Sequence, residues 1–217
     1  NLGAEGLAYS AGVADKLTGV GNADPNVVNV VLNSDAGLKG VKLEGSEAFV
    51  QRVEADLEML RASPNGQQML AEFDKAAANG NIVTIRELQN VDNGYAQSVY
   101  GSEISNGQPG NSGPVDISYN PAFAIPELPV PSVTLFHEMS HAYNGVNGTF
   151  LPGTYSGPGP DQGRVPNAER QAVGLETTAE PYDFGDGSGP ITHNPYALTE
   201  NGLRTEMGLE LRPSYAI

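Results

Sequence analysis

The 217-residue sequence predicts one loop-rich α+β domain in which a small sheet packs beside a single chemistry-bearing helix. Three observations lead there. Two stretches with helical spacing of apolar residues come first, then two short β-branched runs, then a helix that carries two of the chain's only three histidines. The length suffices for one domain with a sizeable core and is short for two. Glycine and proline, 27 and 16 residues, make up about a fifth of the chain. That implies long connections, yet stays below the roughly 25–30% of low-complexity sequence.

The elements follow in order. Residues 1–44 are rich in Gly, Ala, Asn and Asp and read as a lead segment of unassigned role, with NVVNVVLNS (Asn26–Ser34) as a short strand. From Ser46 to Leu60, Phe49, Val53, Leu57 and Leu60 recur at helical spacing, with Ser46 as N-cap and Ser63-Pro64-Asn65-Gly66 as the break. A second helix covers GQQMLAEFDKAAANG and closes at Asn79-Gly80. NIVTIREL (Asn81–Leu88) and PVDISYNP (Pro114–Pro121) are strands, separated by a Gly/Ser/Asn-rich loop over 93–113. Pro126, Pro129 and Pro131 then lead into a helix that Ser132 can cap, running to about Asn144 with Gly145 as its stop.

That helix reads LFHEMSHAY from Leu135 to Tyr143. His137 and His141 are four residues apart, so their imidazoles leave one helix face a turn apart. Two neutral ring nitrogens so placed can share one Zn²⁺, at about 2.0–2.1 Å each. Glu138 lies beside them, where a carboxylate reaches a zinc-bound water as general base. Leu135, Phe136, Met139, Ala142 and Tyr143 fall on the opposite arc, which predicts a buried apolar side and histidines facing a cleft. A His-x-x-x-His pair alone is common on helix surfaces. The intervening glutamate, the proline-led start and the segregated apolar back point to zinc.

The third ligand is open at this level. A zincin with a third histidine six residues after His141 is out, because the chain has Asn144 and Asn147 there. A glutamate on a later helix is the other common solution. PNAERQAVGLETTAEP supplies two, Glu169 and Glu176, on one face of a helix capped by Asn167; His193 and Asp183 are further candidates. Glu169 also has an ordinary explanation as a first-turn acid favouring the helix dipole. The glutamate that does not ligate the metal can support one that does.

Charge and composition exclude other classes. Eleven basic against 26 acidic residues give a net charge of −15, so no basic footprint for nucleic acid or an anionic membrane is present. The absence of cysteine removes disulfides, thiolate nucleophiles and Cys-based zinc sites. No apolar run reaches the roughly 18 residues of a membrane span. The first residues contain no basic and apolar targeting pattern, which predicts that any signal lies outside this chain. Asn144 to Asn167, between the two zinc helices, is long enough to border a cleft and select substrate. Asp183-Phe184-Gly185 is a turn, and Asn147-Gly148-Thr149 matches a glycosylation acceptor.

SVTLFHEMSHAYNG, NAERQAVGLE and TENGLRTEMGLELRPSY, with VDISYNP ahead of them, resemble the NleD-like effector metallopeptidases, which also occur as polymorphic-toxin domains. The likeness covers roughly residues 45–216. It implies a compact zincin-like fold of the gluzincin type, with residues 45–217 as the zinc metallopeptidase domain. It implies a secreted zinc endopeptidase that hydrolyses peptide bonds in proteins of a host or competitor cell. It favours Glu169 as third ligand, matching the glutamate that opens the family's E-x-x-A-V-G helix. Arg212 and Tyr215 resemble the Arg-x-x-Tyr pair with which the distantly similar clostridial neurotoxin light chains stabilise an oxyanion; a phenol or guanidinium beyond the metal suits that charge. His193 is an alternative donor, and Tyr215 has a second reading as surface packing. Two rival readings keep the zinc and drop the reaction: a non-catalytic zinc-stabilised binding module, and an autoinhibited toxin domain. Glu138 argues against the first, because structural zinc has no use for a general base.

Overall fold

The computed structural model describes residues 40–88, 94–122 and 130–216, together with the backbone of 28–31. Five strands form one mixed sheet, β1 (Val28–Val31), β2 (Val41–Gly45), β3 (Val83–Glu87), β4 (Tyr95–Gln97) and β5 (Val115–Tyr119), in the order β1-β2-β3-β5-β4. The three inner strands are parallel, with Val41 opposite Val83 and Val83 opposite Val115, and both outer strands run antiparallel to their neighbours. Parallel neighbours need a crossover. Helices α1 (Glu47–Ala62) and α2 (Pro64–Ala77) provide the one between β2 and β3. Ser46 accepts from the Phe49 amide as expected, and Ser63 both ends α1 and caps α2 through the Gly66 amide, with Pro64 in the first helical position.

β2 and β5 alternate buried and half-buried residues, so one sheet face carries the core. Val41, Leu43, Val83, Ile85, Val115 and Ile117 meet Phe49, Val53, Leu57, Leu60, Met69 and Phe73 of the crossover helices there. Helix α3 (Pro131–Asn147) packs on the β5–β4 end of the sheet and against α2. Beyond it come α4 (Asn167–Val173), a ribbon of β6 (Tyr182–Asp183) and β7 (Pro190–Ile191), a 3₁₀ turn at Tyr196–Leu198 and α5 (Glu200–Met207).

Several expectations are corrected. Helix α3 starts on Pro131, with Val130 rather than Ser132 at the cap position, because proline's fixed φ and missing N–H suit the first turn. Pro126 and Pro129 lie outside the described residues. The helix passes through Gly145 and stops at Gly148, which holds φ at 69°. Gly145 serves packing instead: a Cβ there would stand 2.3 Å from Ser98 Oγ and 2.5 Å from Val115 Cγ2. Nor is α3 one-sided, since every residue from Ser132 to Val146 is buried. The loop expected over 93–113 contains β4, and a further strand, β2, forms at Val41–Gly45. The strand expected over Asn26–Ser34 is present as β1 at Val28–Val31, the remainder of that stretch lying outside the described residues. Among the described residues no helix is long and apolar enough to cross a membrane.

Candidate metal centre

Helix α3 brings His137 and His141 to one end of the sheet, and α4 brings Glu169 to meet them. The three potential ligand atoms lie within 4.8 Å of one another. Nε2 of His141 is 2.9 Å from Glu169 Oε2, and Nε2 of His137 is 3.2 Å from the same oxygen. Both histidines are buried, and Glu169 is half-buried.

The other nitrogen of His137, Nδ1, lies 2.9 Å from Oε2 of Glu200, the first residue of α5. Glu200 is fully buried and takes two guanidinium groups besides, Arg204 Nε at 2.9 Å and Arg212 Nη1 at 3.1 Å. Burial alone would raise its pKa, but His137 and the two arginines outweigh that and hold it down to about 2. An ionised carboxylate only accepts, so Nδ1 of His137 donates to Glu200, and Nε2 is the nitrogen turned toward His141 and Glu169, the one a metal would take once it sheds its own proton. This is the carboxylate–histidine arrangement that fixes a ligand's tautomer and ring orientation. The sequence reading missed Glu200, because directly after Thr199 it has the signature of an ordinary first-turn acid with an i,i+4 arginine partner.

Around these groups, Gly94, Tyr95, Ala96, Glu138, Phe150 and Tyr215 help to line a pocket of about 350 Å³ that includes His141 and Glu169. Glu138 is buried, which raises its carboxyl pKa; His137 and His141 pull the other way, Glu169 and Glu200 add to the rise, and the net direction is up. The backbone just before β4 passes so close that a Cβ on Gly94 would stand 3.3 Å from Glu138 Cγ. Phe150, from the long connection between α3 and α4, sets its ring 6.1 Å from that of His141. The connection thus borders the pocket.

The two helices are held in fixed relation by buried amides. Asn194 exchanges hydrogen bonds with Asn144 at 2.8 Å each way and donates to Ser140 Oγ at 2.9 Å, while Gln171 of α4 donates to Asn194 Oδ1 and Thr149 O, both at 2.9 Å. These bonds tie α3 to α4 and so help to fix the relation between the helices that carry the three residues.

The remaining candidates fall elsewhere. Helix α4 starts at Asn167, whose side chain bridges Pro152 O and the Thr178 amide instead of capping, and stops at Gly174 with φ at 91°. Glu176 is therefore not on the face of Glu169: it is exposed, binds Thr192 Oγ1 and faces His193 at 3.7 Å. His193 directs Nδ1 at the Asn194 carbonyl, and Asp183 accepts from the Gly185 amide in the expected turn. Tyr215 lines the pocket with its ring 6.0 Å from that of His137, and burial beside Glu169 and Glu138 raises the pKa of its hydroxyl. Arg212 lies against the Tyr215 ring at 4.8 Å, but spends its guanidinium on Glu200 and, at 2.6 Å, on the Tyr215 carbonyl.

A mixed α+β fold, with a His-Glu-x-x-His helix and a glutamate from a following helix turned into one pocket, defines a zincin-like domain able to hold a metal. Residues 38–215 match peptidase family M91, described as effector proteins, and the chain belongs to that family. This agrees with the likeness to NleD-like effector peptidases carried by the motifs. None of the curated proteins matches the chain.

Proposed function

We propose that the protein is a zinc-dependent endopeptidase, an effector or toxin delivered out of a bacterial cell to cut proteins of a host or competitor cell. One observation carries this reading: the pocket that gathers His141 and Glu169 is also lined by the carboxylate of Glu138 and by the outer strand of the sheet. The donor set fits the ion. Two imidazole nitrogens and one carboxylate converge, and Glu200 keeps the His137 proton on the nitrogen that faces away. His137, His141 and Glu169 would hold the zinc, which supplies Lewis acidity toward a carbonyl and makes a water easier to deprotonate.

The chain's own groups then divide the proton work. Glu138, with its pKa raised by burial, accepts a proton from the attacking water and passes it to the leaving amine. Tyr215 lines the same pocket, and burial beside Glu169 and Glu138 keeps its hydroxyl protonated, so it donates to the carbonyl oxygen as charge develops. Arg212 acts one step back, through Glu200 and the Tyr215 backbone. Among the described residues strand β4 pairs with β5 on one side and ends the sheet order on the other, so its outer edge can take an extended peptide as an added strand. Tyr95 and Ala96 place that edge at the pocket.

Glu138→Gln is the test. The variant should keep its metal and lose peptide cleavage by at least about 10²-fold, the lower end of what a general base contributes. Parent-level cleavage by Glu138→Gln would end the mechanism.

A further inference from the structure

Tyr215 reaches the pocket from an irregular segment, residues 209–216, that follows α5. Such a segment has no repeating hydrogen-bond pattern of its own, so its position depends on what holds it. At its near end Asn201 makes a two-way clasp with Arg212, accepting from the Arg212 amide at 2.8 Å and donating to its carbonyl at 3.0 Å. At its far end both amides flanking the functional side chain go to one carboxylate. The Tyr215 N–H donates to Asp161 Oδ2 at 2.9 Å and the Ala216 N–H to Asp161 Oδ1 at 2.8 Å.

Asp161 comes from the connection between α3 and α4 and is fully buried. Arg170 Nη1 also donates to its Oδ2. That arginine sits on α4, next in sequence to Glu169, with its guanidinium 3.8 Å over the Tyr155 ring and its Nε donating to the Glu176 carbonyl at 2.9 Å. One buried carboxylate therefore ties together the connection bordering the pocket, the helix that carries Glu169 and the strap that carries Tyr215. Burying a charge is costly, and here it is offset by three donors, all fixed in direction.

We infer that Asp161 is a positioning residue of the peptidase site, which acts on the reaction by holding the 209–216 strap so that the Tyr215 hydroxyl stays in the pocket. The inference rests on the reading of Tyr215 as the donor to the carbonyl oxygen. Asp161 itself does not line the pocket and touches no ligand atom. A displacement of about 1 Å at a positioned group is enough to cost about 10²-fold in rate.

The experiment is a double-mutant cycle of Asp161→Asn and Tyr215→Phe in the zinc-loaded protein, on a quenched-fluorescent peptide that the parent cleaves. It is read with backbone hydrogen exchange at residues 215 and 216. Asp161→Asn should lower kcat by roughly 10–100-fold with KM within about twofold. On the Tyr215→Phe background it should add nothing, because the group it positions is gone. Protection at the Tyr215 and Ala216 amides should fall while that of α3 is kept. Unchanged protection at 215 and 216, or the same rate loss with and without the Tyr215 hydroxyl, would overturn the inference. If Asp161→Asn does not fold, Ala216→Pro removes one of the two strap donors without disturbing the Asp161–Arg170 pair, and the same outcomes apply with exchange read at the Tyr215 amide alone. Should Tyr215→Phe alone leave kcat unchanged, the carbonyl-donor reading falls and this inference falls with it. A parent with zinc bound and no cleavage of any peptide defeats the peptidase reading, and exchange at 215 and 216 in Asp161→Asn still decides whether Asp161 holds the strap.

Discussion

Replacing Glu200 with glutamine removes one charge and almost no volume, and its consequences can be worked from the contacts of that carboxylate. Glu200 is fully buried, and its pKa falls from the ordinary 4.5 to about 2. A shift of that size corresponds to roughly 3 kcal/mol of folding stability linked to the charged form. The neutral variant also leaves Arg204 and Arg212 buried without their anion, and breaking such a pair typically costs about 3–5 kcal/mol. The two estimates agree. Glu200→Gln, stripped of metal and unfolded by urea at pH 7, should be about 3 kcal/mol less stable than the parent treated alike. Because the folded pKa is depressed, this contribution is present above pH 4.5 and is lost as pH falls through about 2. The gap between parent and variant should close over that window. A second arm measures zinc affinity by competition with a chelator. Loss of the carboxylate that orients His137 should weaken binding by roughly 10–100-fold. Glu200→Gln with stability within about 0.5 kcal/mol of the parent and unchanged zinc affinity would refute the reasoning.

Other expectations follow from the same structure. Glu54 of α1 is fully buried, neither of its carboxyl oxygens has a hydrogen-bond partner among the described residues, and burial raises its pKa to about 7. A raised carboxyl favours the protonated folded state, so parent stability should fall between pH 4.5 and 7; Glu54→Gln should flatten that slope by about 2–3 kcal/mol in urea titrations at pH 5 and 8. Gly145→Ala, which in an exposed helix would stabilise by about 1 kcal/mol, should instead destabilise by roughly 1–3 kcal/mol, because the new methyl meets Ser98 and Val115; a thermal melt reads the sign. Glu176→Ala should leave zinc binding unchanged, since that side chain faces Thr192 and His193.

How much of this was legible in the sequence depended on where each signal was local. The spacing of His137, Glu138 and His141 is a property of one helix, and so are the cap at Ser46 and the break at Ser63-Pro64. Glu169 could be singled out because its helix starts near it, but the choice between Glu169 and Glu176 turned on Gly174, whose left-handed backbone ends α4 before the second glutamate comes round. The same kind of misreading placed a stop at Gly145. A glycine marks either a reversal of the chain or a close approach, and only the neighbouring Ser98 and Val115 reveal the latter. Strands β2 and β4 were missed for a different reason. Three to five residues of pairing carry little periodicity, and β4 at Tyr95–Gln97 exists because β5 offers it a partner. Glu200, Asp161 and the Asn144–Asn194–Gln171 network were invisible because the partners that give them their roles lie between 9 and 63 residues away. Nothing in local spacing announces a buried carboxylate that faces a histidine across the fold.

The central claim is that His137, His141 and Glu169 together hold one zinc ion. Elemental analysis of the purified protein, beside His141→Ala and Glu169→Ala, tests it most directly. The account predicts one zinc per chain in the parent and its loss or sharp weakening in both variants. No zinc in a folded parent after the ion is supplied, or full retention by Glu169→Ala, would contradict it.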